Sequence, residues 1–248
     1  MTKHNYNLKK QAADERDFQL KSILDIHPSV KITMPKTISL ISQCPPIYDQ
    51  LELGSCTANA GIADRVMLNK LQVNLSRLFQ YYEERFIEGD VSQDGGAQMR
   101  DIGKAMQTYG VCEESYFPYD ISKFTNQPTP AAVTNALKYK IKSYISVTTQ
   151  LQIKQVLVLQ QKPVLAGIDV YESFESDATA KTGIVLLPKK KEKLLGGHAI
   201  LIVGYNDTKK WFVCRNSWGS SWGDHGYFYL PYTYFTKGFA YDFWVLQN

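Results

Sequence analysis

Along the first half of the chain, apolar side chains recur at three- and four-residue intervals, the period of a helix that buries one face. After Ser55, a residue type suited to an N-cap, Cys56, Ala60, Ala63, Met67 and Leu71 fall on one face. The small residues in that run would let the helix pack closely against something large. Leu78, Phe79, Tyr82 and Phe86 make a second amphipathic segment, ended by Gly89-Asp90. Met99, Ile102, Met106 and Tyr109 make a third, with Gly110 placed to close it in a left-handed conformation. Thr129-Pro130 reads as a cap followed by a first-turn proline, opening a fourth helix through about Tyr139. A further helical stretch runs from about Leu151 to Gln161 and stops before Pro163.

The second half changes period. Pro163–Ile168, His198–Tyr205, Trp211–Arg215, Gly226–Leu230 and Tyr241–Leu246 read as strands bounded by Gly, Asn, Asp or Pro. Helices followed by strands predict an α+β protein of two lobes rather than alternating βαβ units. A site drawing on both halves would lie in the cleft between them.

At 248 residues the chain can bury a large core. A net charge of +4 is too modest for a dedicated nucleic-acid binder, and the run Lys189-Lys190-Lys191-Glu192-Lys193 reads as a solvated loop. No apolar stretch approaches the roughly 20 residues of a membrane span. The polar N-terminus lacks the apolar core of a secretory signal, so the expected location is cytoplasmic, with secretion or vacuolar or lysosomal targeting left open. Cys44, Cys56, Cys112 and Cys214 are widely spaced and fit neither a zinc site nor a disulfide scaffold; they point to a reducing compartment.

A cysteine nucleophile needs a lowered thiol pKa, a base within reach and a group that fixes the base. Cys56 stands at a predicted helix N-terminus, where the dipole and free N–H groups favour a thiolate. Cys44 precedes Pro45-Pro46, Cys112 follows a helix end, and Cys214 lies within a strand. Of four histidines, His4 lies in a polar tail, His27 precedes Pro28, and His225 stands in a Gly/Asp-rich turn. His198 follows Gly196-Gly197 and opens an apolar strand, which would fix it while leaving its ring accessible. Cys56 and His198 are therefore the candidate nucleophile and base.

The segment Asp49-Gln50-Leu51-Glu52-Leu53-Gly54-Ser55-Cys56-Thr57-Ala58 resembles the nucleophile motif of papain-like (cathepsin-type) cysteine peptidases. Gly196-Gly197-His198-Ala199 with Val203-Gly204-Tyr205 resembles that family's histidine strand. Arg215-Asn216-Ser217-Trp218-Gly219-Ser220-Ser221-Trp222-Gly223 is similar to its asparagine motif, and the order Gln, Cys, His, Asn is the family's. The resemblance implies a papain-like α+β fold, with a helical left lobe (about 48–145) and an antiparallel β-barrel right lobe (about 146–248 plus 31–47). It implies a Cys-His-Asn acyl-enzyme mechanism on polypeptide substrates with no metal or other cofactor. Asn216 would orient His198, Gln50 would help form the oxyanion hole, and Trp218 would cover the His198–Asn216 bond. Asp94-Gly95-Gly96 resembles the glycine pair that binds the substrate backbone. By resemblance Gly95, Gly96, Ala97, Gly167, Ala199 and Trp218 are the substrate-binding candidates.

Two departures mark an outlying, disulfide-poor member: Thr57 replaces the usual Trp, and Leu53 replaces a disulfide cysteine. Glu84-Arg85-Phe86 resembles a propeptide string but lies downstream of the nucleophile and reads as helix. Gln50 lies about 30 residues deeper than in a mature family member. Residues 1–30 are therefore expected to be either a short pro-segment that inhibits the chain by covering the cleft or a charged, loosely attached extension, and the catalytic domain would be 31–248. A single active-site histidine points to an endopeptidase, expected as a monomer without nucleic-acid partners. A non-catalytic peptide-binding protein of the same fold, and a transpeptidase or amidase of the same acyl-enzyme chemistry, are the competing readings.

Overall fold

The computed structural model describes residues 4–20 and 34–248. Residues 1–3 and 21–33, including part of the expected pro-segment and His27, lie outside the described residues.

The apolar runs of the second half pair into one sheet. Its strands are β1 (Thr37–Ser39), β2 (Ser143–Val147), β3 (Val164–Tyr171), β4 (Leu194–Asn206), β5 (Trp211–Arg215), β6 (Tyr227–Pro231) and β7 (Ala240–Gln247). They lie in the order β2-β7-β3-β4-β5-β6, with β1 added to β4, and every pairing is antiparallel. The central β3 is buried from Val164 to Val170, which is why it reads as a continuous apolar run rather than an alternating one. Its register with β4 sets Gly167 opposite Ala199, Ile168 opposite His198 and Asp169 opposite Gly197. The pattern missed β1, too short to show a period, and β2, whose five residues are half-buried on one face.

The helices are α1 (Cys56–Asn69), α2 (Arg77–Glu88), α3 (Met99–Thr108), α4 (Pro130–Ala136), α5 (Gln150–Gln155), α6 (Asp177–Thr182) and α7 (Tyr232–Thr236). Caps account for several starts: Phe79 N–H donates to Ser76 Oγ at 3.0 Å and Ala132 N–H to Thr129 Oγ1 at 3.2 Å. After α5 the chain widens into a π turn over Val156–Gln160 and ends at Gln161 with φ +50°. Ser55 does not cap α1. Its ψ of 27° turns it away from the extended cap geometry, and its Oγ instead shares a 2.6 Å hydrogen bond with Tyr119 OH.

α1 is the element that joins the lobes. The sequence shows one apolar face, yet every residue from Cys56 to Met67 is buried, because the sheet covers one side and α2 and α3 the other. Small residues allow this: a Cβ on Gly61 would sit 2.4 Å from Ile102 of α3. Two of the polar residues it carries inward find backbone partners, Asn59 Nδ2 donating to Ser55 O at 2.9 Å and Arg65 Nε to Tyr139 O at 3.0 Å, while buried Asp64 Oδ2 has none among the described residues. One apolar core then runs continuously through both lobes, with a small satellite of Leu53, Ala58, Leu78 and Tyr81 beneath the nucleophile loop. Leu53 thus fills by packing a place that needs no disulfide; all four cysteines are free.

Candidate active site

Cys56 is the first residue of α1, and the loop leading to it is fastened from two sides. On the sheet side, Gln50 N–H donates to Ser217 O at 2.8 Å and Gly219 N–H to Tyr48 O at 3.0 Å. The buried Arg215 guanidinium holds Pro45 O at 2.7 Å and Pro46 O at 2.5 Å. On the helical side, Gly54 N–H donates to the Asp94 carboxylate at 3.0 Å, and Tyr81 OH donates to the same group. The Gln50 side chain is itself locked, Nε2 donating to Leu53 O at 3.0 Å and Oε1 accepting from Ser217 Oγ at 2.7 Å.

His198 and Asn216 come together from β4 and the loop after β5. Asn216 Oδ1 accepts from Ser217 N–H at 2.8 Å, which fixes the amide so that this oxygen also faces His198 Nε2, again at 2.8 Å. Nε2 must then be the donor, and buried Nδ1, which makes no other hydrogen bond, is the nitrogen left to act as base. The Trp218 ring lies 4.9 Å from the imidazole, centroid to centroid, and screens this bond from water.

Both reactive groups are fully buried. Desolvation pushes the Cys56 thiol up to about 12 and the His198 imidazole down to about 4. With the cleft covered, the pair is therefore neutral rather than the thiolate–imidazolium pair expected from the helix N-terminus. The cover is the chain's own N-terminal strap, residues 4–20. His4 stacks on Trp218 at 4.4 Å, and Tyr6 meets the His198 ring edge-on at 6.2 Å. Leu8 N–H donates to Gly197 O at 3.2 Å and Lys9 N–H to Ala97 O at 3.1 Å. Asn7 pairs with Gly197 and Lys9 with Gln98 in parallel bridges, and Tyr6 OH reaches Glu175 in the connection after β3.

The six substrate-binding candidates lie along this path. Gly96 has φ +70°, and a Cβ there would stand 1.9 Å from Asn7 O, so only glycine admits a chain at that point. A Cβ on Gly95 would lie 3.6 Å from Lys9 Nζ, and one on Gly167 would lie 2.9 Å from Leu8 Cδ2 and 2.7 Å from the Tyr241 ring. Ala97 lends its carbonyl, Ala199 sits buried opposite Gly167, and Trp218 carries His4.

Sequence reasoning missed several partners. Asp94 was read only as part of the substrate-binding glycine motif, yet its carboxylate anchors the nucleophile loop. Thr57 donates to Glu84, a fully buried carboxyl that also accepts from Gln80 Nε2 at 2.8 Å. A polar residue in place of a large aromatic beside the nucleophile was the available signal for that network. Nothing in the pattern singled out Tyr6, Leu8 or Tyr241.

Comparison with known proteins gives one direction. The profile of the papain family cysteine proteases matches residues 35–237. An uncharacterized peptidase C1-like protein of Acanthamoeba polyphaga mimivirus is 39% identical over 88% of this chain and 72% of its own length. Cysteine proteinase 3 of Entamoeba histolytica is 28% identical over 79% of this chain, which spans 62% of that relative. Among solved structures, xylellain, a cysteine protease from Xylella fastidiosa, superposes with a TM-score of 0.85 at 34% identity, covering 98% of this chain and 96% of that one.

Proposed function

We propose that this chain, which belongs to the papain family of cysteine proteases, is a thiol endopeptidase using Cys56, His198, Asn216 and Gln50, and that residues 4–20 cover its cleft and restrain turnover to the fraction of molecules in which they are displaced. The observation that carries the reading is the His198 Nε2–Asn216 Oδ1 bond of 2.8 Å under Trp218, because it fixes the one tautomer in which Nδ1 can take a proton from a thiol. Cys56 would attack the scissile carbonyl while His198 accepts the thiol proton. His198 then passes that proton to the leaving amine, and next activates the water that releases the acyl group from sulfur. The Cys56 N–H and the second N–H of Gln50 Nε2 would bind the oxyanion.

The covered state follows from the same geometry. The leaving amine must receive its proton from His198, so the residues after the scissile bond belong on the Trp218 side and those before it over Gly96 and Gly167. The strap lies the other way round, His4 at Trp218 and Leu8 at Gly167, so it fills the cleft without presenting a bond in the cleavable direction. Removing it readmits water, which reverses the desolvation that keeps the thiol and imidazole neutral. Among the described residues, the histidines at the cleft are His198 and the strap's own His4, which leaves no second histidine on the cleft walls to capture a substrate terminus. That supports internal cleavage.

The test is hydrolysis of fluorogenic peptides and of a denatured protein under reducing conditions, by wild type and Cys56→Ala. Turnover confined to wild type, with internal fragments of the protein substrate, is expected. Turnover that survives in Cys56→Ala would sink the assignment of the nucleophile, and release of dipeptides alone would sink endopeptidase action.

A further inference from the structure

Each of the strap's two lysines ends on a carboxylate in a different wall of the cleft. Lys9 Nζ pairs with Glu88 at the end of α2, and Lys10 Nζ pairs with Asp169 of β3 at 3.0 Å while lying 4.3 Å above the Tyr241 ring. Among the described residues, these lysines are the only cations paired with those two acids. Both acids are held by the body of the chain and not by the strap. Glu88 Oε1 accepts the Gln98 backbone N–H at 3.0 Å, and Asp169 stands on the buried central strand, 7% exposed, opposite Gly197. When the strap leaves, two carboxylates positioned by the body of the chain remain on the cleft walls without their paired lysines, and a basic ligand can take the place of each.

The strap also gives the spacing. Leu8 marks the apolar pocket made by Gly167 and Tyr241, and Lys9 and Lys10 are the next two positions away from His198. A substrate in the productive direction places its second residue before the scissile bond in that pocket, and its third and fourth where Lys9 and Lys10 lie. We propose that Glu88 and Asp169 are specificity subsites for basic side chains, so that the cleft selects polypeptides with Lys or Arg at the third and fourth residues before the scissile bond. This rests on the endopeptidase reading and adds to it the substrate class.

The test uses the full chain and two irreversible peptidyl acyloxymethyl ketones, Ac-Lys-Lys-Leu-Gly and Ac-Gln-Gln-Leu-Gly, with labelling of Cys56 followed by intact mass. The fraction of molecules with the strap displaced enters both rates equally, so their ratio reads the subsites alone. The lysine probe is expected to label about tenfold faster, the effect of two partly exposed ion pairs. Glu88→Gln, which keeps a carbonyl acceptor for the Gln98 N–H, and Asp169→Asn should each lower the ratio, and the double variant should bring it near one. Equal rates in wild type, or a ratio unmoved by both variants, overturns the subsites and leaves the peptidase intact. Labelling by neither probe, in wild type and in the strap-opening variant Leu8→Ala alike, overturns the catalytic reading, and the subsites with it.

Discussion

Gln50, His198 and Asn216 are tied into the protein by backbone pairing and by side chains with almost no exposure, whereas the part of the strap over the cleft, residues 4–10, touches the rest of the chain through a few backbone bonds, Leu8 and the tips of long side chains. The catalytic floor sits between β4, the loop after β5 and α1, and its hydrogen bonds are closed within it: Gln50 to Ser217, Asn216 to His198. The strap's ion pairs leave Lys9 and Lys10 43% and 57% exposed, where solvent weakens them. Over the cleft, Leu8, Tyr6 and His4 give it apolar or stacking contact, and beyond the cleft Asp17 pairs with Arg100 at 2.7 Å and Leu20 is buried in the core. The floor is therefore preorganised within the fold, while the strap can open at a fraction of the free energy of unfolding. Inhibition by the strap, as proposed, would leave the catalytic geometry in place and act by excluding substrate and water.

Breaking the floor should give the largest effects. Cys56→Ala is expected to abolish turnover. Gln50→Ala should lower kcat/KM by roughly 10²–10³, the usual loss for one oxyanion donor, with folding checked by thermal denaturation because Gln50 also bonds Ser217. An unchanged rate would remove Gln50 from the mechanism. Breaking the strap should act in the opposite direction. Leu8→Ala removes a side chain only 7% exposed, at about 2 kcal/mol, so strap opening and peptide hydrolysis should rise about thirtyfold. No rise in steady-state rate would show that the strap does not limit access.

The floor was legible in the sequence and the strap was not, for reasons visible in particular residues. Cys56 announces itself by standing at the start of a helix, His198 by following two glycines into an apolar strand, and Asn216 by a dense tryptophan–glycine motif; each lies within a regular element or tight turn whose pattern is local. The strap has no period. Tyr6, Leu8, Lys9 and Lys10 gain their meaning only from Glu175, Gly167, Glu88 and Asp169, between 79 and 169 residues away for the paired acids. A shorter separation, 40 residues, was enough to hide Asp94 as the anchor of Gly54, and one of 64 explains why Ser55 reads as a cap when its hydroxyl goes to Tyr119. Helix boundaries were recovered within a few residues where Ser76, Gly89, Thr129 and Gly110 punctuate the chain. β2 lacked such marks.

A pH titration separates the floor from the strap in another way. Glu84, beneath Thr57, is fully buried, and desolvation raises its carboxyl to about 8. The folded protein thus holds a proton that the unfolded chain releases near pH 4.5. Stability from this group is complete below that pH, falls as pH rises through the interval, and levels off above about 8. Glu84→Gln should flatten the decline in Tm between pH 5 and 8, by an amount on the order of a few kcal/mol in wild type. Glu83 and Asp101, each raised to about 7 by burial, contribute in the same sense, so a residual slope is expected. Identical slopes in wild type and variant would mean that Glu84 does not hold this proton.

The smallest effect should come from the strap's outermost lysine. Lys10→Gln removes one pair whose lysine side chain is more than half exposed, worth under about 1 kcal/mol, so hydrolysis should rise less than about fivefold, well short of the rise from Leu8→Ala. The two variants differ in kind as well as in size. Added salt screens an exposed pair and barely touches an apolar contact, so raising ionic strength should activate wild type and Leu8→Ala by similar factors and Lys10→Gln by less. A Lys10→Gln protein as salt-sensitive as wild type would assign the ionic part of the strap's hold to its other pairs, Lys9 with Glu88 and Asp17 with Arg100. A rise equal to that of Leu8→Ala would show that Lys10 holds the strap through its packed methylene stem on Tyr241 rather than through its charge.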